Sequence, residues 1–418
     1  MVVIATFVAV VFLYSLVSRR LERTVLTAPI VFTAAGALAA TVPGAQGELA
    51  LDREGFLLLA ELGLVMTLYT DASRIGLRMQ RGQTNLPLRL LSAGMLLTMA
   101  LGALCAMAIL GALSWWEAAI LAAILAPTDA GLGQVIVNSP QVPNRIRRTL
   151  NVEAGLNDGL AVPFLMFFMA LAVADEQGSG AGVLRRYLVE QLGYGTLVGL
   201  GVGLAGGWLL GRARREGWMA EPLTRIAVVA LPLGCVLASE GSGASMFIAA
   251  FVAGLATQAG FPDVGRHSVE FTEEWGQLLN YFVFFLFGLL VAPVWAQFSL
   301  EIALYAVLSL TLIRMLPVAI ALRGAGLHRS TVLFMGWFGP RGLASIVLGL
   351  VYLESEMRLP GETTIRLAVM ATVLLSIFAH GFTALPGIRR YAAAVATLDP
   401  AAPEHRTVDS GEGSTEDR

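Results

Sequence analysis

Residues 124–131 read ILAPTDAG and residues 336–342 read GWFGPRG, and each stretch interrupts an otherwise apolar segment. Proline removes a backbone donor and clashes with the preceding helical turn, whereas glycine allows the backbone to unwind. Both segments are therefore predicted to be helices that are broken near their middles. Each break carries a charge, Asp129 in the first and Arg341 in the second.

The composition of the whole chain is that of a polytopic membrane protein. Of its 418 residues, 56% are hydrophobic and 14% are charged, and the mean hydropathy is +0.72. A soluble protein carries about a quarter charged residues. The chain has no HExxH, CxxC or P-loop pattern, and Cys105 and Cys235 lack a metal-ligand or disulfide spacing. We therefore expect no enzyme activity, no resident cofactor and no nucleic-acid partner.

Apolar runs recur along the chain, each near the roughly 20 residues that a membrane-spanning helix needs. They predict a transmembrane domain over residues 1–395 with thirteen spans, followed by a polar, disordered cytoplasmic tail over 396–418. The predicted spans lie near residues 2–18, 26–42, 54–70, 86–112, 115–138, 146–174, 186–211, 222–239, 243–259, 269–293, 298–322, 329–352 and 365–386.

The number of arginines alternates between high and low in successive loops. All 28 basic residues are arginine, and the loops that follow odd-numbered spans hold more of them. Cytoplasmic loops are enriched in basic residues, so the N-terminus is predicted outside and the C-terminus in the cytoplasm, which agrees with an odd number of spans. The arginines after spans one, three, five and seven are Arg19, Arg20, Arg23, Arg74, Arg78, Arg81, Arg145, Arg147, Arg148, Arg212, Arg214 and Arg215.

The two broken spans occupy matching positions in the two halves of the chain. If span seven (186–211) is a linker helix, repeat one covers about 1–175 and repeat two about 222–390, and the broken spans are fifth in each. An offset of seven spans inverts the second repeat relative to the first. Broken helices at matching positions of inverted repeats point to a transporter with a site at the bilayer midplane. The predicted fold is all-α, with about thirteen transmembrane helices, two inverted six-helix repeats and crossed broken helices.

The charges at the two breaks suit such a site. Crossed half-helices bring partly positive N-terminal ends and partly negative C-terminal ends to the bilayer centre, and Asp129 and Arg341 have the opposite signs needed to compensate them. Thr128 adds a hydroxyl, and the unwound backbone adds carbonyls. Oxygen ligands of this kind suit a small cation. Thr128 and Asp129 are therefore candidate cation ligands.

Span six carries two acids that have different predicted roles. A charge at the bilayer centre is costly, so an acid there indicates a function. Glu153 and Asn157 share a helix face, and Asp158 projects in another direction. Glu153 can then pair with a cation from another span, for which Arg314 in span eleven is the candidate. Asp158, without such a pairing, is the carboxylate predicted to alternate between proton and cation, and Asn157 adds polarity beside it.

These motifs together resemble the NhaP/NHE branch of the monovalent cation/proton antiporters, which includes the sodium/hydrogen exchangers. The matching motifs are APTD at 126–129, EAGLNDG at 153–159 and GPRGLAS at 339–345, with DAS at 71–73 after span three. The likeness covers about residues 1–390. The resemblance implies an NhaA/NhaP-like fold, a homodimer, a core domain that moves against a dimerisation domain, and a location in a bacterial plasma (inner) membrane.

The resemblance also assigns roles to the polar residues of spans six and eleven. The pair Asn157-Asp158 marks the electroneutral branch of the family, which exchanges one cation per proton, and the Glu of the motif pairs with the arginine that here is Arg314. One departure affects the cation site. The family usually has Glu-Ser where this chain has Glu153-Ala154, and in some relatives the serine is a cation ligand.

The predicted function is exchange of a monovalent cation for H⁺ by competition for Asp158. Na⁺ is the expected cation, with Li⁺ and K⁺ as alternatives because of Ala154. The competing hypothesis is a cation-coupled symporter of a small organic solute on a similar inverted-repeat fold. Such a carrier needs a roomier cavity with more polar or aromatic contacts than spans five, six and twelve supply.

Overall fold

The computed structural model describes residues 2–21, 24–74, 85–177, 180–265, 269–355, 359–399 and 401–405. Within these ranges the regular structure is helical throughout, and no β-strand is present. Three of the arginines used above to predict the orientation, Arg23, Arg78 and Arg81, lie outside the described residues. Of the tail predicted over 396–418, residues 400 and 406–418 also lie outside them.

Nineteen α-helical segments occur in this part of the chain. The first ten are α1 (Val2–Leu21), α2 (Ala28–Ala39), α3 (Ala45–Leu51), α4 (Arg53–Arg74), α5 (Asn85–Arg89), α6 (Met95–Ile109), α7 (Trp115–Ile124), α8 (Ala130–Val137), α9 (Asn144–Gln177) and α10 (Gly180–Arg186). The others are α11 (Gly195–Arg215), α12 (Glu221–Glu240), α13 (Met246–Gly260), α14 (Glu270–Val291), α15 (Leu300–Leu310), α16 (Leu312–Ala321), α17 (Arg329–Trp337), α18 (Leu343–Glu354) and α19 (Glu362–Ala396). π-helical turns at Leu90–Gly94 and Tyr187–Tyr194 join α5 to α6 and α10 to α11.

The helices have the length and composition of membrane spans, and the prediction of an all-α integral membrane protein is confirmed. Among the described residues, nine helices are long and apolar enough to cross a bilayer. Four further apolar helices are shorter: Ala28–Ala39, Trp115–Ile124, Met246–Gly260 and Leu343–Glu354. Two of these four are α7 and α18, which are short because each is one half of a broken span.

The helices pack as two bundles. One, called the panel here, contains α1–α4 and α11–α14, with α2 and α4 against α14, and α4 and α11 against α13. The other, called the core here, contains α5–α9 and α15–α19, with α7 against α6 and α9, and α15 against α19. The bundles meet where α9 contacts α4 and α13, and where α18 contacts α4 and α14. The two-repeat boundaries stay a prediction.

A glycine row on α11 explains how closely the panel helices pack. A Cβ at Gly199 would lie 2.5 Å from the Ala249 carbonyl oxygen, and one at Gly203 would lie 2.6 Å from the Ala253 carbonyl oxygen. Both carbonyls belong to α13, so the two backbones are in direct contact and only glycine fits. Close approach of this kind replaces the hydrophobic driving force that helices lack inside a bilayer.

Two differences between the predicted spans and the structure lie close to polar residues. Span three was predicted to end at residue 70, but α4 continues to Arg74, so Asp71 lies inside the helix. Span eleven was predicted as one run, but it is interrupted at Thr311, whose φ is −107° and ψ is −93°. Pro317 lies inside α16, six residues after the interruption.

The first residues of the predicted disordered tail are ordered in the structure. α19 extends to Ala396, and Pro403–His405 forms a short 3-10 turn. Glu404 is buried. Its carboxylate accepts hydrogen bonds from the His328 N–H at 2.7 Å and the Thr331 hydroxyl at 2.9 Å. These bonds secure the turn to the N-terminus of α17, an interaction that the polar composition of the tail does not reveal.

Candidate functional site

The two predicted breaks are present, and they touch each other. α7 ends at Ile124 and α8 begins at Ala130, while α17 ends at Trp337 and α18 begins at Leu343. The Asp129 N–H donates to the Pro340 carbonyl at 2.8 Å, from one break to the other. The ends of four half-helices therefore meet inside the core.

Asp129 caps two half-helices at once. Its Oδ1 accepts the Leu132 N–H of α8 at 3.0 Å, and its Oδ2 accepts the Leu343 N–H of α18 at 2.5 Å. One buried carboxylate thus faces two partly positive helix ends. Gly342 permits this approach, because a Cβ there would lie 2.1 Å from Asp129 Oδ2.

Arg341 lies at the opposite kind of helix end. Its side chain is fully buried, and its NH1 donates to the carbonyls of Ala126 at 2.6 Å and Pro127 at 2.9 Å. Both carbonyls follow the C-terminal end of α7, which is partly negative. The arginine of the second break therefore compensates the helix that ends in the first.

The structure brings Glu153 and Arg314 together. Arg314 NH1 lies 2.6 Å from Glu153 Oε1, and both side chains are 3% exposed. The pair joins α9 to α16. The guanidinium also packs against the second break, because a Cβ at Gly339 would lie 2.3 Å from Arg314 Nε. Glu153 is thus neutralised by a neighbour from a distant part of the chain.

Asp158 has no such partner among the described residues. It is 5% exposed, and its buried Oδ1 accepts no hydrogen bond from them. The adjacent Asn157 donates from Nδ2 to Thr128 Oγ1 at 2.6 Å, and its buried Oδ1 is also without a hydrogen-bond donor in the described part of the chain. These oxygens, beside an unwound backbone, are the ligand type that a hard cation takes.

Two small residues next to Asp158 let the panel approach it. A Cβ at Gly155 would lie 3.2 Å from the Cβ of Asp71 on α4, and a Cβ at Gly159 would lie 2.2 Å from the Phe251 ring on α13. Asp71 is a site residue that the analysis of charges missed, because it was placed beyond the end of span three. It interacts electrostatically with Asp158, and only its occurrence in the DAS motif signalled it.

A cavity leads from one side of the protein to the breaks. It has a volume of about 630 Å³ and lies between α1, α2 and α14 of the panel and α8 and α19 of the core. Its lining includes Ser18 and Leu21 at the C-terminal end of α1 and Leu385, Ile388 and Arg389 of α19, and it reaches Asp129. Its polar lining includes Gln134, Asn138, Gln277 and Asn280. Asp129 and Arg389 contribute the charged groups of the same lining.

A second opening is much smaller and adjoins Ala154. It has a volume of about 10 Å³, and Thr128, Asp129 and Glu153 contribute to its lining. This is about the smallest space that holds one water molecule. The space lies between the first break and the part of α9 that carries the two acids.

Comparison with known proteins identifies relatives along almost the whole chain. The profile of the family described as "Sodium/hydrogen exchanger, transmembrane" matches residues 5–388. The K(+)/H(+) antiporter NhaP2 of Shewanella sp. (strain MR-4) is 28% identical over 386 residues, covering 90% of this chain and 64% of that protein. The Na(+)/H(+) antiporter 2 of Zygosaccharomyces rouxii is 25% identical over 329 residues, covering 70% and 40%. The chain thus spans less than two thirds of the length of these relatives.

Solved structures share the fold. The sodium proton antiporter MjNhaP1 from Methanocaldococcus jannaschii, solved at pH 8, superposes with a TM-score of 0.68 at 20% identity, covering 91% of this chain and 98% of that one. An electron-microscopy structure of the same protein gives 0.70 at 18% identity, covering 95% and 98%. At these identities the likeness establishes the antiporter fold and leaves the chemistry to the residues of the site.

Proposed function

Because the chain belongs to the sodium/hydrogen exchanger family, we propose that it exchanges a monovalent cation for H⁺, with both competing for Asp158. One observation carries the assignment. Of the two acids on this part of α9, Glu153 is neutralised by Arg314, whereas Asp158 is buried without a hydrogen-bond donor for Oδ1 among the described residues. An unpaired buried carboxylate requires a positive charge, and a proton or a cation supplies it.

The cation is held by Asp158, with Thr128 and Asn157 supplying uncharged oxygens. Asp129 contributes mainly its negative charge, because both of its carboxylate oxygens already accept backbone N–H groups. Arg341 and the Glu153–Arg314 pair keep the surrounding charges compensated, so that the net charge of the site changes only when Asp158 gains or loses its ligand.

Alternating access is proposed to come from movement of the core against the panel. Asp158 lies on a core helix at the surface where Gly155 and Gly159 contact Asp71 and Phe251 of the panel. Because the two glycines have no side chains that interlock with the panel, a contact of this kind allows one bundle to slide along the other. The cavity that reaches Asp129 is then the path from one side of the membrane.

The arrangement of the protein in its membrane remains part of the proposal. We infer an outward N-terminus and a cytoplasmic C-terminus from the arginine distribution, and a bacterial plasma membrane and a homodimer from the family. The large cavity then faces the cytoplasm. A symporter of an organic solute is less well supported, because the family that matches residues 5–388 is described as sodium/hydrogen exchanger and the similar Shewanella protein is named a K(+)/H(+) antiporter.

Exchange should be electroneutral, because one carboxylate carries either one cation or one proton. In proteoliposomes with an imposed pH gradient, adding Na⁺, K⁺ or Li⁺ should dissipate the gradient at a rate that does not depend on membrane potential. Moving one net charge across 100 mV involves about 2.3 kcal/mol, so an electrogenic exchanger would respond strongly. A response to none of the three cations would refute antiport, whereas a rate that follows the potential would refute only the 1:1 stoichiometry.

Replacing Ala154 with Ser is expected to shift the cation preference towards the smaller ions. A hydroxyl would enter the opening of about 10 Å³ and add an oxygen beside Thr128 and Asp129. One extra neutral ligand should lower the KM for Na⁺ relative to that for K⁺ about tenfold. Ala174→Ser, also on α9 and also buried, is the matched control, and equal KM ratios in the two variants would exclude a role for position 154 in selectivity.

A further inference from the structure

The break between α17 and α18 interrupts one backbone hydrogen bond that a continuous helix would have. In an α-helix the N–H of Arg341 would donate to the carbonyl of Trp337, four residues earlier. Residues 338–342 leave the helix, so this bond is absent. The Arg341 side chain is fully buried, and a buried backbone N–H without a partner is costly. Another group therefore has to accept from it.

Two side chains of α19 bridge the separated groups. The Arg341 N–H donates to Ser376 Oγ at 2.7 Å, and His380 Nε2 lies 2.9 Å from the Trp337 carbonyl oxygen. Between them, Ser376 Oγ is 3.1 Å from His380 Nδ1. Both side chains are buried, at 0% and 2% exposure. α19 thus holds both Trp337, the last residue of α17, and Arg341, which lies within the break.

The Trp337 carbonyl can only accept a hydrogen bond, so Nε2 of His380 carries a proton in this arrangement. When His380 is neutral with its proton on Nε2, the Arg341 N–H donates to the Ser376 hydroxyl, which donates to Nδ1, while Nε2–H donates to Trp337. A proton on Nδ1 would instead be donated to the Ser376 carbonyl, which lies 2.9 Å away, and the Ser376 hydroxyl would lose its acceptor. The charged groups that act on His380 are Arg341 and Arg314.

The bridge of Ser376 and His380 holds Arg341, which contacts both breaks. The backbone of Arg341 is held by Ser376, and its guanidinium binds the Ala126 and Pro127 carbonyls in the first break. The next residue in that break is Thr128, which accepts from Asn157. A displacement of Arg341 would therefore be passed on to the oxygens beside Asp158.

We propose that Ser376 and His380 are positioning residues for the cation site, which they do not touch. By replacing the lost helical bond between Arg341 and Trp337, they keep the second break open and set the position of the first. The proposal rests on the proposed cation exchange. It predicts that weakening the bridge impairs cation binding before it impairs turnover.

Ser376→Ala tests the bridge. It leaves the buried Arg341 N–H without its acceptor, and we expect the KM for the transported cation to rise about tenfold while kcat changes much less. Ser376→Thr keeps the hydroxyl and should restore the parent KM. His380→Phe keeps a planar ring without nitrogen and should raise the KM similarly. Because both residues act through one bridge, the double variant should cost little more than either single variant.

Thr372→Val is the matched control. Thr372 is equally buried, lies one turn before Ser376 on α19, and donates its hydroxyl to the Ala368 carbonyl within the same helix. The KM of the Thr372→Val variant should therefore equal that of the parent. An unchanged KM in Ser376→Ala, a fall in kcat alone, or failure of Ser376→Thr to restore the KM would each overturn the proposal. An inactive parent protein would instead contradict the proposed exchange, so the two failures are distinguishable.

Discussion

Asp158→Asn is expected to abolish cation-dependent dissipation of a pH gradient in proteoliposomes. The amide has nearly the shape of the carboxylate, but it cannot take up a proton and does not carry the charge that attracts the cation. Asp158 is 5% exposed and has a buried oxygen that accepts no hydrogen bond from the described residues. Removing the charge should therefore leave the protein folded, because it relieves a desolvated charge rather than creating one.

Asp175→Asn is the matched control for this loss. Asp175 lies on the same helix, α9, but it is exposed near the end of that helix, and its removal should leave exchange unchanged. If Asp158→Asn still exchanges cations at the parent rate, Asp158 does not carry the competing ligands. The acids that act on Asp158 electrostatically, Asp129 and Asp71, would then be the ones to replace.

Glu153→Gln is expected to lower the free energy of unfolding by about 3–5 kcal/mol, because it strands a buried arginine. Arg314 NH1 lies 2.6 Å from Glu153 Oε1, and both side chains are 3% exposed. Arg314→Met should be similarly damaging, since it leaves Glu153 as a second unpaired acid beside Asp158. The measurement is thermal unfolding of the detergent-purified protein, followed together with transport.

The double variant and an exposed pair provide the controls. Removing both charges with Glu153→Leu and Arg314→Met should be less destabilising than either single change, because no buried charge is left alone. Glu273→Gln breaks an exposed ion pair in which the side chain of Arg74 is 37% exposed and that of Glu273 is 44% exposed. This change should lower the free energy of unfolding by at most about 1 kcal/mol. Equal losses for the buried and exposed pairs would contradict a structural role for Glu153 and Arg314.

The site uses each fixed charge to compensate helix ends or another charge. Asp129 faces the N-terminal ends of α8 and α18, and Arg341 faces the C-terminal end of α7. Glu153 and Arg314 compensate each other. Asp158 is not matched in this way by the described residues, and it is next to the break where Thr128 lies. The difference between a compensated and an uncompensated charge is what assigns the transport role.

Several features could be predicted from the sequence because they depend on neighbouring residues. Composition identified a membrane protein, and the lengths of the apolar runs identified its spans as helices. Proline and glycine at 124–131 and 336–342 predicted both interruptions, because these residues act on the backbone where they stand. The spacing of Glu153 and Asp158 separated two acids on one helix, since helical geometry fixes the direction in which each side chain projects.

Only the tertiary structure decided which groups meet across long sequence separations. The sequence indicated that Asp129 and Arg341 compensate helix dipoles, but it did not reveal that Asp129 caps two helices at once, or that Arg341 binds carbonyls some 214 residues away. It placed Asp71 outside the span and assigned no role to His380. Each of these contacts requires the packing of helices that are distant in the chain. Helix periodicity determines the face on which a side chain lies, whereas packing determines what that face touches.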